Sequence, residues 1–391
     1  MPKPVGALNF SLKVAAPCNL NCTYCYVYNK ADSTWRDRPA IMPDSVFTAT
    51  IERIREHCLL SGQETVEITY HGGEPCLVGP ERFSRWCEEA RTRLSDIVKV
   101  RFVIQTNATL VTPEWLDAFR AHSVSVGVSL DGPAHINDVY RIDKKGRGSY
   151  ARVAQGARAL LNADIDVGVL AVIQLGVDGL SVHEHLTEMG FKTISYLLPH
   201  FSHDTIAEVK VQFGPTPCAD YLLPILNSWW THGTIDQEIV VFWQMSRVVL
   251  GGSSLIDLFG NRLLSFVFVE TDGSIAGLDT LKVAAHGLAD TGLNVQSRRF
   301  LDIRLVSDLH RQAIFDGVPT PSGCRDCPEL ITCGGGHLAD RYSTARGLDN
   351  PSVWCDDLLA LFGRVRELLG VSPHETLLRR GALRGMTPAT E

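Results

Sequence analysis

The segment VAAPCNLNCTYCYVYN, residues 14–29, places three cysteines within eight positions, directly after an apolar stretch typical of a β-strand. The cysteines are Cys18, Cys22 and Cys25. Structural zinc sites recruit four ligands and often pair two CxxC motifs, whereas no further Cys or His stands beside this trio. Three thiolates instead leave one iron of a 4Fe-4S cluster open to bind another molecule. The spacing alone leaves a zinc or disulfide cluster as the alternative.

Outward from this segment, residues 8 to about 205 alternate short apolar stretches with longer amphipathic ones, which predicts strand-helix units around a parallel sheet. The predicted strands are LNFSLKV, TVEITYHG, VRFVIQTN, VSVGVSLDG, DVGVLAVI and KTISYLLP. Helix candidates lie between them, such as PDSVFTATIERIREHCLL with Pro43 near its start. Six such units predict an α/β fold with a partial (β/α)6 TIM-like barrel. In parallel barrels the chemistry gathers at the carboxyl ends of the strands, which here carry Cys18, Gly72, Thr106, Ser129 and Pro199.

The alternation stops after about residue 205, and the chain to about residue 265 is predicted to be helical. The segment LSFVFVETDGSIAGLD then predicts a hairpin with its turn at Asp272 and Gly273. We therefore predict a barrel domain over residues 1–205, a bridging helical region over 206–265, a cysteine-rich domain over 266–365 and a C-terminal tail over 366–391.

The composition excludes some classes of partner. The 391 residues have a formal net charge of −7 and are 45% hydrophobic, which disfavours an overall electrostatic grip on nucleic acid or an anionic membrane. The N-terminus lacks the apolar core of a signal peptide, and no apolar run of about 18 residues occurs. We expect a cytoplasmic protein that binds neither nucleic acid nor membrane. In that reducing compartment, eleven clustered cysteines favour metal over disulfides.

Further motifs stand at the ends of the next strands: HGGEP at residues 71–75, QTN at 105–107 and SLDGP at 129–133. With the CxxxCxxC loop and the aromatic residue before its third cysteine, they resemble the radical S-adenosylmethionine (SAM) enzymes. The resemblance implies a 4Fe-4S cluster on Cys18, Cys22 and Cys25, whose open iron chelates the amino and carboxylate groups of SAM. It also implies one-electron cleavage of SAM to a 5'-deoxyadenosyl radical.

The same resemblance implies roles for residues that bind SAM. Tyr24 and Leu198 match positions at the adenine. Ser129 matches a position at the ribose, and Gly73 one at the methionine side. Glu74 can accept from the ammonium group, and the guanidinium of Arg141 suits the carboxylate. The complete predicted SAM-binding set is Tyr24, Gly72, Gly73, Glu74, Thr106, Asn107, Ser129, Asp131, Arg141 and Leu198.

A second cysteine cluster begins at residue 324 with CRDCPELITCGGGH. It places Cys324, Cys327 and Cys333 in a CxxCx5C array, and Cys355 follows. Four thiolates make a closed site, which can also hold zinc. The loop resembles the SPASM extension of peptide-modifying radical SAM enzymes. That resemblance implies a C-terminal SPASM-like iron-sulfur domain with an auxiliary 4Fe-4S cluster on these four cysteines.

A full SPASM domain carries two auxiliary clusters, and the cysteines of the other one are missing. Leu278 stands where the hairpin would carry a cysteine, His337 stands four residues after Cys333, and residues 219–323 contain no cysteine. We therefore expect two 4Fe-4S clusters in total, one that binds SAM and one auxiliary. Asp279 occupies the position at which sulfatase-maturing relatives keep a catalytic base; the alternative is a structural Asp after a turn.

Over roughly residues 8–365 the chain most resembles the cyclophane-forming peptide maturases, through its cysteine loop, HGGEP, the DGSI hairpin and GLADTGLNV. The resemblance implies abstraction of a β-hydrogen from a ribosomally synthesised precursor peptide, and coupling of that carbon to the ring of an aromatic residue two positions earlier. A flavodoxin- or ferredoxin-type protein is the expected reductant. No winged-helix-like leader-binding module precedes the first strand, so the leader would bind the barrel mouth, the bridge region or a separate protein.

Other functions remain open at this point. Within the class they are thioether formation and oxidation of Ser or Cys to formylglycine with Asp279 as the base. From another class, a non-catalytic iron-sulfur electron-transfer or metal-sensing protein would use the same cysteines. The HGGEP and SLDGP motifs and Arg141 argue against that reading, because an electron carrier needs no aminoacyl-nucleoside pocket.

Overall fold

The computed structural model describes residues 6–234, 236–260, 263–306 and 308–386. The strands are β1 (Asn9–Ala15), β2 (Thr65–Gly72), β3 (Lys99–Thr106), β4 (Ser125–Ser129), β5 (Val167–Val172), β6 (Thr193–Leu197), β7 (Glu238–Ile239), β8 (Phe266–Val269), β9 (Ser274–Ala276) and β10 (Asp290–Asn294). The helices are α1 (Asp44–Ser61), α2 (Pro80–Leu94), α3 (Pro113–His122), α4 (Ala134–Tyr140), α5 (Tyr150–Leu161), α6 (Gly179–Glu188), α7 (Ala207–Phe213), α8 (Pro217–His232), α9 (Val240–Val249), α10 (Asp308–Arg311), α11 (Leu330–Cys333), α12 (Cys355–Leu369) and α13 (Pro373–Met386).

The chain divides into two compact units that interleave along the sequence. The first unit comprises Met1–Leu170, Glu188–Phe191 and Leu263–Asp316, and the second comprises Ala171–Thr187, Lys192–Arg262 and Gly317–Glu391. The expected boundaries near residues 205 and 265 remain predictions. Within the stretch expected to be a tail, α12 and α13 continue the helical structure to Met386.

The first unit is built on a largely parallel sheet. Its strand order is β10, β9, β8, β1, β2, β3, β4, β5; β1 pairs in parallel with both β2 and β8, while β9 is antiparallel to its two neighbours. The sixth predicted strand, β6, lies in the second unit, where Leu197 accepts a hydrogen bond from the amide of Ile173. All six predicted strands are confirmed.

The predicted hairpin is confirmed too, and its first strand joins the sheet of the first unit. β8 and β9 flank the predicted turn, in which Gly273 has φ +85°, a backbone conformation that favours glycine. Because β8 pairs with β1, residues just after the hairpin are attached to the sheet that carries the first cysteines. This connection brings Asp279 next to Lys13 of β1.

Strand β1 is the central element of the first unit's core. Phe10, Leu12 and Val14 on one face are at most 1% exposed, and Ser11 and Lys13 on the other face are at most 8% exposed, as expected for a strand covered on both faces. Next to β2, stacked and edge-on rings of Phe47, Tyr70, Phe83 and Trp86 fill the layer between sheet and helices. Burying each such ring stabilises the fold by roughly 1.5–3 kcal/mol, so this layer holds the strand ends in place.

Helix α1 confirms the helical prediction for residues 44–61 and shows why it starts and stops there. Pro43 precedes the first turn, where its missing N–H costs nothing. The apolar residues at helical spacing, including Ile51, Ile54 and Cys58, are buried. Gly62 ends the helix in the left-handed conformation, and its amide donates to the Cys58 carbonyl.

The second unit combines the β6–β7 pair with the helices that the bridge region predicts. Helix α8 is capped from a distance, because the Asp357 carboxylate of α12 accepts from the amides of Cys218 and Ala219 in its first turn. The Trp354 indole donates to the Pro199 carbonyl at 2.9 Å and so ties the end of β6 to the start of α12. Among the described residues, no helix combines the length and apolar character needed to cross a bilayer.

Candidate active site

The three-cysteine loop, residues 18–25, follows directly on β1. All three thiols are half-buried and none forms a disulfide. Two N–H groups point at the Cys18 sulfur: the Leu20 amide at 3.4 Å and the Asn107 side-chain amide at 3.7 Å. Amide donors of this kind stabilise a thiolate and tune the potential of a cluster bound to it.

Burial raises the pKa of the Cys18 thiol to about 12, and the nearby Glu74 carboxylate acts in the same direction. Burial also raises the pKa of Cys22 and of Cys25, while Arg141 opposes both increases. Thiols in such surroundings ionise when a bound metal replaces the proton. The loop therefore has the donor set, the shielding and the N–H···S contacts that a three-thiolate iron-sulfur cluster requires.

The two glycines of HGGEP hold this loop against the sheet. A Cβ at Gly72 would overlap the Ala15 carbonyl, and one at Gly73 would overlap the Tyr28 hydroxyl and the Pro17 carbonyl. The Gly73 amide donates to Ala15 at 2.7 Å. Because only glycine permits this approach, the end of β2 fixes the backbone that leads into the cysteines.

Glu74 joins the ends of β2 and β3 rather than pointing free into a pocket. Its carboxylate is 1% exposed and accepts from the Cys76 amide (3.0 Å), the Thr106 hydroxyl (2.7 Å) and the Asn107 amide (2.8 Å). Burial raises the pKa of Glu74, and these three hydrogen bonds oppose the increase. Sequence reasoning missed this bracing role, and whether Glu74 also meets an ammonium group stays a prediction.

Three of the predicted SAM-binding residues form one hydrogen-bonded chain beside the cysteines. The Tyr24 hydroxyl donates to Asp131 at 2.6 Å and accepts from the Arg141 Nη1 at 2.8 Å. Arg141 is buried, and its Nε has no hydrogen-bond partner among the described residues. Burial would lower the pKa of Arg141, but Tyr24, Cys22 and Asp131 together raise it well above its usual value. A buried, permanently charged guanidinium with a spare N–H is suited to a ligand carboxylate.

The other predicted cofactor residues fall at neighbouring strand ends. Asn107 donates to Asn19 of the three-cysteine loop at 2.8 Å, and Ser129 accepts from Gln105 at 2.8 Å. These contacts brace the ends of β3 and β4. Leu198 is buried just after β6 and belongs to the second unit, and its place at the adenine stays a prediction.

Asp279 lies in a group that we call the buried charge quartet: Lys13, Glu270, Asp279 and Lys282. The Asp279 carboxylate is fully buried and meets the ammonium groups of Lys13 at 2.5 Å and Lys282 at 2.6 Å. Glu270 meets Lys282 at 2.5 Å. Arg38 adds a positive charge 3.2 Å from Glu270, and it also pairs with Asp272 at 3.5 Å.

The quartet fixes the ionisation of its members. Burial alone would raise the pKa of Asp279, but Lys13 and Lys282 hold it well below its usual range. Burial lowers the pKa of Lys13, against the attraction of Asp279 and Glu270. Burial and the Lys13 ammonium also lower the pKa of His71, which pairs with Lys13 across β1 and β2, to about 4. His71 is therefore neutral near pH 7, while Asp279 is an anion.

Tyr26 connects the quartet to the three-cysteine loop. It directly follows Cys25; burial raises the pKa of the Tyr26 hydroxyl well above its usual value, and the nearby Asp279 carboxylate acts in the same direction. The Lys13 ammonium also lies 5.9 Å from the centre of the Tyr26 ring. The sequence indicated this group, because a lysine in the buried strand NFSLKVA requires an oppositely charged partner that is also buried.

In the second unit, Cys324, Cys327, Cys333 and Cys355 line a single pocket, here called the four-cysteine pocket. Leucines, Pro351 and Gly335 complete its wall. Burial raises the pKa of Cys333 to about 12 and that of Cys355 to about 11. Four convergent thiols with an apolar surround fit a closed metal site, which requires their deprotonation.

Arg341 shapes the loop that carries Cys333. It is buried and donates to the carbonyls of Gly334, Gly336 and Pro319 at 2.6–2.8 Å. Burial lowers the pKa of Arg341 to about 10, against the attraction of Cys333 and Cys324. A cation at this point favours the thiolate form of the neighbouring cysteines.

The first unit combines a largely parallel sheet with three cysteines after its first strand and polar or glycine-rich motifs at the ends of the next strands. This combination defines the class of the protein. The model of the Radical SAM superfamily matches residues 13–189, and the chain thus contains a radical SAM domain. This match includes the end of β1 and the three-cysteine loop, and it confirms the resemblance inferred from the sequence.

Curated relatives match along almost the full chain. A serine-type anaerobic sulfatase-maturating enzyme of Bacteroides thetaiotaomicron is 24% identical over 100% of this chain and 93% of its own length. A cysteine-type anaerobic sulfatase-maturating enzyme of Clostridium perfringens is 25% identical over 88% of this chain and 92% of its own.

Solved structures agree on the fold. Native anSMEcpe with bound AdoMet and Cp18Cys peptide has a TM-score of 0.78 at 20% identity, covering 93% of this chain and 98% of that chain. Streptococcus suis SuiB bound to precursor peptide SuiA has a TM-score of 0.54 at 15% identity, covering 88% and 75%. The expected fold class, a radical SAM partial barrel with a SPASM-like C-terminal part, is confirmed by these likenesses.

Proposed function

We propose that this chain is a radical SAM peptide maturase that joins a β-carbon of a precursor-peptide residue to an aromatic ring, forming a cyclophane. A 4Fe-4S cluster on Cys18, Cys22 and Cys25, with SAM bound, would supply a 5'-deoxyadenosyl radical that removes one hydrogen atom. The substrate class is supported by relatives whose names and titles refer to sulfatase maturation and to a bound precursor peptide.

The observation that carries the proposal is the position of the Lys13 ammonium, which lies 2.5 Å from the Asp279 carboxylate and 5.9 Å from the centre of the Tyr26 ring. It places a buried anion one side chain away from the three-cysteine loop, in the same compact unit. A carboxylate that remains ionised in a buried position is ready to accept a proton next to the place where a radical would form.

Crosslinking requires such an acceptor. After the β-carbon radical adds to the ring, the adduct must lose one electron and one proton to regain aromaticity, so the peptide loses two hydrogen atoms in all. The oxidised adduct is a strong acid, so even a carboxylate of low basicity accepts its proton. In our proposal Asp279 receives the proton, and Lys13 and Lys282 position its oxygens.

The electron needs an acceptor as well. The four-cysteine pocket suits a closed auxiliary 4Fe-4S cluster, since four thiolates leave no coordination position for substrate and favour an electron-transfer role. A flavodoxin- or ferredoxin-type protein would supply the electron for SAM cleavage.

SAM binding is assigned to the strand ends of the first unit. Arg141, oriented by Tyr24 and Asp131, would bind the SAM carboxylate with its spare N–H. Gly72 and Gly73 would set the backbone beside the methionine, and Ser129 would meet the ribose. Glu74, Thr106 and Asn107 would keep these strand ends together through their shared hydrogen bonds.

The test combines reconstituted enzyme, dithionite, SAM and a precursor peptide encoded beside the gene, with its aromatic ring deuterated. Cyclophane formation predicts that the peptide loses two hydrogens, one of them a ring deuterium, and that fragmentation stops between the joined residues. Asp279→Asn should retain 5'-deoxyadenosine formation and lose product. Asp272→Asn, a partly exposed acid in the same hairpin, is the matched control and should keep product formation.

Formylglycine formation is the second candidate, favoured by the six curated sulfatase-maturating enzymes among the matches. From serine it also removes two hydrogens, so mass alone does not separate the two reactions. An aldehyde that reacts with a hydrazine, with all ring deuterium retained, would establish formylglycine and refute the cyclophane. Loss of an alkylatable thiol with a mass loss of two hydrogens, retained ring deuterium and no aldehyde would instead establish a thioether, because formylglycine from cysteine loses the sulfur and gives an aldehyde.

A further inference from the structure

A second group of metal-binding side chains lies in the second unit, apart from the four cysteines. His200, His337 and Asp340 form it, and it is called the histidine–aspartate cluster below. Each residue offers one ligand atom, and these atoms all lie within 4.8 Å of one another. Nothing in the radical reaction proposed above uses this group.

Three different segments bring the side chains together. His200 follows β6 after Pro199, His337 ends the run of glycines behind α11, and Asp340 sits in the short turn Ala339–Arg341. Asp340 is fully buried and His337 nearly so, while His200 keeps 23% of its side chain exposed. The cluster is thus closed on the protein side, and an ion can enter past His200.

Asp340 lies between the two imidazoles but satisfies only one of them. Its Oδ1 is 2.9 Å from His200 Nδ1, a hydrogen-bond distance, whereas its Oδ2 is 3.7 Å from His337 Nδ1. Within the described part of the chain, this buried Oδ2 has no hydrogen-bond partner. A buried carboxylate oxygen without a hydrogen bond costs free energy unless a cation lies close to it, and a metal ion bound by His337 Nδ1 would supply that charge.

The spacing fits an ion rather than a purely hydrogen-bonded group. Two ligands bound to one zinc at about 2.0–2.1 Å lie roughly 3–4 Å apart in tetrahedral geometry. The separation of Asp340 Oδ2 from His337 Nδ1 falls in this range, and it is too long for a hydrogen bond.

A partner behind His337 completes the arrangement. The other ring nitrogen, Nε2, lies 3.2 Å from an oxygen of Asp257. A carboxylate behind a ligating imidazole fixes the tautomer and raises the basicity of the metal-facing nitrogen. With Asp257 on Nε2, His337 presents Nδ1 toward Asp340.

The sequence position of His337 adds a separate argument. It stands four residues after Cys333, where the SPASM resemblance implies a cysteine. Replacing a thiolate with an imidazole exchanges a ligand suited to iron-sulfur clusters for one suited to a single divalent transition-metal ion.

We propose that His200, His337 and Asp340 bind one divalent transition-metal ion, of the zinc or ferrous class, with only nitrogen and oxygen ligands from the chain. Two imidazoles and one carboxylate leave a further coordination position for water. The ion ties the end of β6 to the loop that carries Cys333.

The test counts metal that does not belong to clusters. Enzyme purified anaerobically is analysed for iron, zinc and acid-labile sulfide, and cluster iron is subtracted through the sulfide. We expect about one additional ion per chain in the native protein. It should be absent from His337→Ala and His200→Ala, with sulfide unchanged. His183→Ala, which removes a buried histidine of the same unit, is the control and should retain the ion.

Zinc added to enzyme whose iron-sulfur clusters are already in place provides the second measurement. The extended X-ray absorption fine structure of the bound zinc should show nitrogen and oxygen neighbours at about 2.0–2.1 Å and no sulfur shell near 2.3 Å. Asp340→Asn, which keeps the shape of the side chain, should weaken zinc binding at least tenfold and serves if an alanine variant does not fold. Native enzyme without the additional ion would overturn the proposal, and so would zinc bound through sulfur in wild type and His337→Ala alike.

Discussion

Replacing Lys13 with methionine tests the central feature of the candidate active site. Lys13→Met keeps the length and the apolar stem of the side chain and removes its charge. In the structure that charge lies 2.5 Å from Asp279 and 3.7 Å from Glu270, and Lys13 is only 3% exposed. The substitution therefore leaves Asp279 a buried anion with one ammonium partner instead of two.

The size of the destabilisation in Lys13→Met depends on the positive charges that remain beside Asp279. Removing one partner of a buried ion pair typically costs about 3–5 kcal/mol. Lys282, at 2.6 Å, still compensates the Asp279 charge, so the low end applies, about 3 kcal/mol. Since each 1.36 kcal/mol is tenfold, the segment held by the quartet should open roughly a hundredfold more often.

Hydrogen-deuterium exchange read by mass spectrometry measures this opening in the folded enzyme. Peptides covering β8, β9 and residues 279–283 should exchange roughly a hundredfold faster in Lys13→Met, while peptides of β3 and β4 keep their rates. Lys99→Met, at the exposed start of β3, is the matched control and should change stability by less than about 0.5 kcal/mol.

A double variant sharpens the test. Lys13→Met combined with Asp279→Leu removes both charges and leaves Glu270 paired with Lys282 and Arg38. Replacing a buried pair with apolar side chains is often neutral, so the double variant should exchange more slowly than Lys13→Met alone. Less than about a fivefold change in Lys13→Met, or additive effects in the double variant, would refute the claim that the two charges depend on each other.

Three further results are expected. Gly73→Ala, whose Cβ would overlap Tyr28, should halve the iron bound on reconstitution, whereas Gly363→Ala, in open space, should bind the wild-type amount. Cys355→Ser should lower bound iron from about eight to about four per chain and keep SAM cleavage. Because the folded-state pKa of Asp279 lies below the unfolded value of about 3.9, its ionised form stabilises the fold above that pH, and urea titrations should show this contribution lost as pH falls below it.

The parallel framework could be predicted from the sequence because its signals are local. Each strand is a short apolar run ended by a polar or glycine-rich motif, and α1 carries both a proline start and a glycine stop. The two groups of closely spaced cysteines could be recognised for the same reason. In the first unit, the order of β1 to β4 then places the motifs at the strand ends side by side.

What sequence reasoning missed depends on contacts between residues far apart in the chain. Lys13 meets Asp279 only because β8 pairs in parallel with β1, a pairing that no local pattern of either strand indicates. The hydrogen bonds that Thr106 and Asn107 donate to the Glu74 carboxylate likewise depend on the pairing of β2 with β3. The interleaving of the two units is also a property of contacts and not of composition.

Leu278 and His337 stand at the two positions where the SPASM resemblance leads us to expect cysteines of a second auxiliary cluster. Leu278 is 2% exposed, so an apolar side chain fills its place in the first unit and gains from burial. His337, in the second unit, has a carboxylate on Nε2 and faces another across Nδ1. Neither position leaves a void or an unsatisfied thiol, because Leu278 is buried and His337 is held by carboxylates. The prediction of a single auxiliary cluster is compatible with this packing.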